Sequence, residues 1–262
     1  MLSDTRLLSR LAWLIPILLA FLAVAPPAEA IEPEFDEKFE QSHPLAAGGT
    51  FSLTNINGSV RVDGWEKEEV WIQALKTAKL NEKDLAKVRI EVHAQAGSVA
   101  VRTVYPQDQG VEVAVEYKIR VPHRVLLGRV ETVNGSVTVR GVEGAGDLRT
   151  VNGNVEVLDS EGRFSARATN GNLRVELAHL PAGSPMTLQT TNGAVVLVVA
   201  ADADADLEVD TLNGDFQSEI PVTAKGSIGP RAFKGRLGNG GSGVRISTLN
   251  GAVRIVTAKR SV

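Results

Sequence analysis

Apolar and polar residues alternate along most of this chain, and the alternation is interrupted by seven Asn-Gly dipeptides that stand in the same sequence pattern. Counting back from each of these Asn residues, the fourth residue is apolar and the third is polar in all seven copies. The third residue after each Asn is again apolar in every copy. A period of two on both sides of a turn predicts a strand, a turn and a strand with one buried face. The predicted structural corners are Asn57 and Gly58, Asn134 and Gly135, Asn152 and Gly153, Asn170 and Gly171, Asn192 and Gly193, Asn213 and Gly214, and Asn250 and Gly251.

The Asn-Gly dipeptide suits a corner because both residues tolerate a positive φ angle. Two architectures would use this property. In an antiparallel β-meander, each pair forms a type I′ hairpin turn. In a β-solenoid, each pair is a corner, and equivalent residues of successive coils stack in columns. On this reasoning, replacing Asn170 and Gly171 with valines is expected to destabilise the fold, because β-branched residues are outliers at positive φ.

The spacing of the dipeptides favours the solenoid. Successive intervals are 77, 18, 18, 22, 21 and 37 residues, so the longest is close to four units of about nineteen residues. Loops of a meander can vary freely in length, whereas each coil of a solenoid has to keep its circumference. Thr also stands two residues before five of the seven Asn residues, as stacked polar ladders would require. The sequence therefore predicts an all-β fold, a β-solenoid of about ten short coils and roughly 50 Å in length, with an antiparallel β-meander as the alternative.

Strand-like runs that lack Asn-Gly are expected to supply the remaining coils, and a short helical turn is expected over residues 81–86. The charged residues 32–40, with Phe35 and Phe39, are expected to cover one end of the stack against edge pairing. Lys259 and Arg260 are expected to blunt the other end. The expected additional strands cover residues 70–75, 88–93, 99–104, 111–121 and 232–237.

The first thirty residues have the pattern of a secretory signal peptide. Arg6 and Arg10 precede an apolar run of 14 residues, which is shorter than the roughly 20 that span a bilayer. The alternative is an uncleaved anchor. Cleavage after residues 28–30 would start the mature chain at Ile31, with no transmembrane span. The expected organisation is a signal peptide (1–30), a lead-in and end cover (31–48), a repeat domain (49–258) and a tail (259–262).

Composition narrows the possible partners. The chain has no cysteine, so it would have to be stable in an oxidising compartment without disulfides. Its net charge of −3 gives no electrostatic reason to expect binding to nucleic acid or to an anionic membrane surface. An exported protein with extensive backbone pairing is the class that fits both observations.

Two motifs resemble ligand sites but lack the required context. Gly238, Gly240 and Gly243 match the spacing of a dinucleotide-binding loop, yet a strand follows them where a helix is needed, so an inter-coil loop is expected. The Asp202–Asp206 run has Leu207 and Asn213 where a calcium loop needs Gly and Glu. The four histidines have no metal-ligand spacing. No metal or cofactor is therefore expected.

No catalytic motif is apparent, because the chain lacks a cysteine nucleophile and a serine elbow. Trp65 and Trp71 are expected to pack in the end coils. The outward residues Arg149 and Arg167 would be adjacent in a stack. With Arg174, they form a predicted patch for an anionic ligand.

Several segments of the chain form a recognisable combination. They are Glu34-Phe-Asp-Glu-Lys-Phe-Glu, Gly48-Gly-Thr-Phe-Ser-Leu, Asn57-Gly-Ser-Val-Arg-Val and Gly64-Trp65, followed by the later Thr-x-Asn-Gly repeats. Together they resemble a known family, the exported bacterial β-strand-repeat domain of unknown function often labelled "putative adhesin". The resemblance covers most of the chain after residue 31 and implies a solenoid-shaped protein of the cell envelope or surface. It implies no catalytic residues.

The sequence thus predicts a non-enzymatic, adhesin-like interaction module of the periplasm, cell envelope or cell surface. Its partner would be an envelope component, either protein or glycan. The alternatives are a polysaccharide-active enzyme on a β-helix scaffold and a sensor component that reports envelope stress.

Overall fold

The computed structural model describes residues 35–107, 110–180, 185–225 and 232–258. The expected signal peptide and the expected tail with Lys259 and Arg260 lie outside these residues. The described chain is all-β, with twenty strands and one 3₁₀ helix. None of its helices is long and apolar enough to cross a membrane.

The strands range from 3 to 16 residues, and most of them follow the alternating pattern of the sequence. They are β1 (Phe35–Pro44), β2 (Thr50–Thr54), β3 (Val60–Trp65), β4 (Glu69–Ala78), β5 (Arg89–Gln95), β6 (Ser98–Val104), β7 (Val113–Pro122), β8 (Arg124–Asn134), β9 (Val137–Arg140), β10 (Glu143–Asn152), β11 (Val155–Asn170), β12 (Leu173–Leu177), β13 (Met186–Asn192), β14 (Val195–Val199), β15 (Ala205–Asn213), β16 (Phe216–Ser218), β17 (Val222–Ala224), β18 (Ala232–Leu237), β19 (Ser242–Asn250) and β20 (Val253–Thr257).

Strands that precede the Asn-Gly turns pair with one another in parallel, and they form the first sheet in the order β2, β8, β10, β11, β13, β19, β15. Strands that follow the turns form the second sheet in the same way, in the order β3, β9, β11, β12, β14, β20, β16. One strand from each sheet, joined by a turn, makes a layer. Among the described residues, no strand pair is antiparallel across an Asn-Gly turn, although the hairpin alternative requires such pairs.

The layers do not follow the order of the sequence. Asn250 pairs with Asn192 on one side and with Asn213 on the other, so the last Asn-Gly turn of the chain lies between two earlier ones. The layer of β19 and β20 therefore lies between the layer of β13 and β14 and the layer of β15 and β16, which follow each other directly in the sequence. Sequence spacing alone gives no signal for this exchange.

The core lies between the two sheets. The seven apolar residues that stand four positions before each Asn are at most 1% exposed, as the alternating pattern predicts. Phe164 is also fully buried, whereas Phe216 is partly buried and stacks on Phe233 with ring centroids 4.9 Å apart.

The expectation of about ten coils is wrong for the described residues. Strands β6 and β7 pair in parallel with β2 and β3 and add one layer without Asn-Gly, which gives eight layers. The other additional strands pair antiparallel: β4 with β7, β5 with β6, and β18 with β15. Because an antiparallel strand ends the parallel ladder, these strands close the stack and do not extend it. Seven steps of about 4.8 Å give a stack of roughly 34 Å.

The first end of the stack carries two further features. Strand β1 pairs antiparallel with β4 and forms an outer strand of the second sheet, and Phe35 and Phe39 pack against the core. The expected helical turn is present as the 3₁₀ helix Glu82–Lys87, in which the Asn81 side chain accepts a hydrogen bond from the Lys83 N–H at 3.1 Å.

Candidate functional site

The seven Asn side chains form one continuous ladder along the stack. Six of the seven carboxamides donate from Nδ2 to the Oδ1 of the Asn in the adjacent layer, over 2.7–2.9 Å, and Asn57 at the end of the ladder only accepts. The parallel register brings these side chains together, because every Asn is paired with an Asn of the next layer. From one end to the other, the ladder runs through Asn57, Asn134, Asn152, Asn170, Asn192, Asn250 and Asn213.

The structure corrects the reason for Asn-Gly at these turns. Among the described residues, Asp159 is the only non-glycine residue with a positive φ, so none of the seven Asn residues is left-handed. Three of the seven glycines, Gly58, Gly135 and Gly153, have the positive φ that the sequence predicts, but close approach of the stacked backbones requires glycine at all seven turns. A Cβ atom on any of the seven would lie only 1.7–2.3 Å from a backbone carbonyl oxygen of the adjacent layer. At Gly171 that oxygen belongs to Gly153.

The Thr column stabilises the same turns from inside. Its hydroxyls donate to glycine carbonyls of the adjacent layer, as Thr150 does to Gly135 over 2.8 Å. Asn55 takes the equivalent position in the layer of Asn57 and donates from Nδ2 to three backbone carbonyls. Hydrogen bonds therefore link neighbouring layers both inside and outside the turns, except in one layer, where Ala168 stands at the Thr position and has no hydroxyl to donate.

An exposed apolar column runs beside the Asn ladder. The residue directly before each Asn points outward, and five of these residues are aliphatic side chains that are 37–45% exposed. They account for five of the seven large exposed hydrophobic residues of the described chain. The column consists of Ile56, Val133, Val151, Thr169, Thr191, Leu249 and Leu212, in stack order. This column and the Asn ladder together are called the corner edge below.

Sequence reasoning missed this column, although the signal is present. In all seven copies, the residue before Asn is aliphatic or Thr. Beside it, on the first sheet, lies a groove of about 510 Å³, lined by residues of the column and by outward residues such as Glu131, Arg149 and Arg167. The corner edge is thus one wall of a concave surface.

The predicted arginine patch is only partly assembled. Arg149 and Arg167 are register partners on adjacent strands of the first sheet, as the stacked arrangement predicts. Both bind the Asp147 carboxylate, at 2.6 and 3.3 Å, and Arg129 approaches it at 4.0 Å. The hydrogen bond to Asp147 raises the pKa of Arg149 above its ordinary value. These three arginines and Asp147 are called the arginine cluster.

Arg174 does not join this cluster. It lies on β12 in the second sheet, where it donates to Glu176 over 3.1 Å. Arg174 follows its Asn-Gly turn, whereas Arg149 and Arg167 precede theirs. Residues before and after a turn belong to different sheets, so their outward side chains lie on different faces of the stack. The patch predicted from all three residues is therefore corrected to the two on the first sheet.

The aspartate run and the glycine motif belong to one structural feature. Asp204 accepts a hydrogen bond from the Asn239 backbone N–H at 2.7 Å, and Asp206 accepts one from the Gly241 N–H at 3.1 Å. Both carboxylates thus hold the turn between β18 and β19. The hydrogen bond from Lys225, followed by that from Gly241, lowers the pKa of Asp206. In the part of the chain that the structure describes, no three His, Asp or Glu side chains are grouped to hold a metal ion.

Trp65 and Trp71 lie at the first end of the stack, but on the outward face of the second sheet. Each indole N–H donates a hydrogen bond, from Trp65 to the Glu69 carbonyl at 2.8 Å and from Trp71 to Glu40 at 2.9 Å. The Arg120 guanidinium lies over both rings, at 5.7 and 5.3 Å from their centroids. Cation–π contacts therefore occupy these rings.

Comparison with known proteins identifies the family. Residues 49–256 match the model of the family described as Toastrack DUF4097, and no curated protein matches the chain. Similar solved structures include a "putative cell adhesion protein" from Clostridium sporogenes, with 11% identity, a TM-score of 0.44 and coverage of 85% of this chain and 100% of that one. A "putative adhesin" from Bacteroides fragilis has 9% identity, a TM-score of 0.34 and coverage of 85% and 97%. Since the family match spans most of the chain, as the resemblance predicted, the protein belongs to the Toastrack DUF4097 family.

Proposed function

We propose that the protein is a non-enzymatic, adhesin-like interaction module of the cell envelope or cell surface. Its fold is a rigid β-solenoid with Asn-Gly corners, which presents the corner edge to a partner. The observation that carries this proposal is the concentration of exposed aliphatic side chains in a single column of the stack. Contiguous exposed apolar residues rimmed by polar ones are typical of interaction surfaces.

Rigidity of the contact surface is supported by the hydrogen bonds between layers. Side-chain bonds of the Asn ladder and backbone bonds such as Gly171 N–H to the Asn192 carbonyl, at 2.9 Å, link each turn to the next. A preorganised surface loses little conformational freedom on binding, so more of the contact energy is available for affinity.

Export is part of the proposal and is supported by the sequence. Residues 1–30 have the basic, apolar and small-residue regions of a signal peptide. The chain beginning at Ile31 would then act in the periplasm or outside the cell.

Arg149 and Arg167 are a second proposed contact, for anionic groups of the partner. They border the groove beside the corner edge, and two arginines share the Asp147 carboxylate there. Charge reversal at both positions would weaken a contact of this kind and reduce its dependence on salt.

Co-sedimentation of the chain from Ile31 with cell-envelope fractions tests the function. Peptidoglycan sacculi and outer-membrane vesicles are assayed separately across a salt series. Saturable binding to one fraction is expected, and that fraction names the class of partner. Absence of binding to every fraction would contradict the proposal of a direct envelope contact.

A further inference from the structure

The corner edge repeats its chemistry from layer to layer, unlike the outward faces of the two sheets. Each of the seven layers with an Asn-Gly turn carries a carboxamide, and beside it an aliphatic residue or Thr. The outward residues four positions after each Asn, by contrast, include arginine, glutamate, threonine and valine. A surface whose chemistry repeats in one dimension suits a ligand that also repeats in one dimension.

The Asn ladder leaves hydrogen-bonding capacity facing solvent. A carboxamide has two N–H donors and two acceptor lone pairs. Each of the five inner Asn side chains uses one donor and one lone pair within the described chain. One donor and one acceptor per layer therefore remain, repeated at the strand spacing of about 4.8 Å.

Charge narrows the class of ligand. The corner edge itself is uncharged. Two positions after the Asn, on its far side, stand Ser, Asn or Ala in six of the seven layers, and Asp215 in the seventh. The strip is therefore nearly neutral over its whole length, and a neutral ligand matches it better than a polyanion or a basic peptide.

We propose that the corner edge binds a neutral linear polysaccharide laid along the stack, with about one sugar ring per layer. Aliphatic side chains would contact the C–H faces of the rings, and the free amide groups would hydrogen-bond their hydroxyl or acetamido groups. An extended pyranose chain advances per ring by about the strand spacing, so contacts can repeat in register. This inference rests on the proposed function and names its ligand class.

Two other occupants fit less well. An extended peptide repeats the side chains of one face every two residues, or about 6.8 Å, and so loses register with layers that are about 4.8 Å apart. An amphipathic helix has a pitch of about 5.4 Å, but its backbone hydrogen bonds are satisfied internally. It would therefore leave the free carboxamide groups of the ladder without partners.

Calorimetric titration of the chain from Ile31 with N-acetylglucosamine oligomers and with glucose oligomers, of two to seven rings, tests the inference. Affinity is expected to rise at least tenfold between two and six rings, as successive layers are engaged. The variant Val133→Ser/Val151→Ser/Leu249→Ser is expected to weaken binding of the longest oligomer at least tenfold. Thr169 and Thr191 already place hydroxyls in this column, so the variant is expected to fold.

Val196→Ser is the matched control, because Val196 is a half-buried outward valine of the second sheet, away from the corner edge. It is expected to leave oligosaccharide binding unchanged. Binding without dependence on length, or binding that is unaffected by the triple variant, would overturn the inference. So would binding of an amphipathic helical peptide or of lipid vesicles without binding of either oligomer.

The test separates this inference from the proposed function. Envelope fractions that bind the chain while neither oligosaccharide series does would overturn the inference and leave the interaction module standing. No binding to oligosaccharides or to any fraction would contradict both. A difference between the two oligomer series distinguishes an N-acetylated glycan from a plain glucan.

Discussion

At the scale of single residues, the Asn-Gly turns are determined by contact between layers more than by backbone conformation. The pattern of the sequence correctly predicts the turns and their buried neighbours, because alternation and turn composition are local. The assignment of positive φ to the Asn residues is wrong. The need for glycine at the next position comes from close contact with the backbone of a neighbouring layer. No local signal in the sequence can report such a contact.

Gly171→Ala is expected to destabilise the fold by about 1–3 kcal/mol, the range typical of overpacking. The added methyl would lie 1.7 Å from the Gly153 carbonyl oxygen, so the layers would have to separate. Urea unfolding followed by circular dichroism measures the change. Thr169→Ala is the matched control, because Thr169 is the exposed neighbour one residue before Asn170. Equal stability of Gly171→Ala and the wild type would contradict the close-approach explanation.

Asn170→Asp is expected to destabilise the fold at neutral pH by about 1–2 kcal/mol, through loss of a donor. The aspartate can still accept from Asn192, but two oxygens would then face each other at Asn152. Protonation of the aspartate restores a donor, so the deficit relative to the wild type shrinks below pH about 4. Asn170→Ala, which cannot titrate, is expected to keep its deficit at all pH values. If the loss of stability in Asn170→Asp does not change with pH, the proposal that the ladder hydrogen bonds stabilise the fold is contradicted.

At the scale of elements, the sequence predicts which segments are strands better than it predicts their partners. All five expected additional strands are present, yet two of them, β6 and β7, extend the parallel layers and three pair antiparallel at the ends. The sequence pattern also did not predict the insertion of β19 between β13 and β15. Near-identical repeats are compatible with many neighbours, so the order depends on loops and end strands, which have no repeating pattern.

The layer formed by β6 and β7 contains both tyrosines of the chain. The Tyr117 hydroxyl lies 2.7 Å from Thr103 Oγ1 in the core, and the Tyr105 hydroxyl donates to the Val113 carbonyl at 3.1 Å. Burial raises the pKa of Tyr105 to about 12 and raises the pKa of Tyr117 as well. Because the folded state favours the neutral phenols, their contribution to stability is full below pH about 10, the ordinary tyrosine pKa. It is lost as the pH rises toward 12.

Alkaline titration of tyrosinate absorbance tests this arrangement directly, because no other tyrosine contributes. Little ionisation is expected at pH about 10, where free tyrosine is half ionised. Both residues are expected to ionise together with loss of the circular dichroism signal at higher pH. Tyr117→Phe should halve the absorbance change. A native chain whose tyrosines titrate with midpoints near 10 would contradict the buried placement.

At the scale of the whole molecule, the stack has a repetitive interior and non-repetitive ends. Composition and pattern predict the all-β class and the parallel columns, but the sequence overestimates the number of coils because end strands share the same alternation. The candidate contact surface was predicted only in part. Arg149 and Arg167 lie together, Arg174 lies on the other sheet, and the apolar column was missed although its pattern is visible.

A side-by-side binding assay is the most direct test of the corner edge as the contact surface. The wild type, the corner-edge variant Val133→Ser/Val151→Ser/Leu249→Ser and the cluster variant Arg149→Glu/Arg167→Glu are co-sedimented under equal salt with the envelope fraction that the wild type binds. The corner-edge variant is expected to lose most of the binding. The cluster variant, which removes only the second contact, is expected to weaken binding less and to keep most of it. Full binding by the corner-edge variant, with loss in the cluster variant, would contradict the account and assign the contact to the arginines.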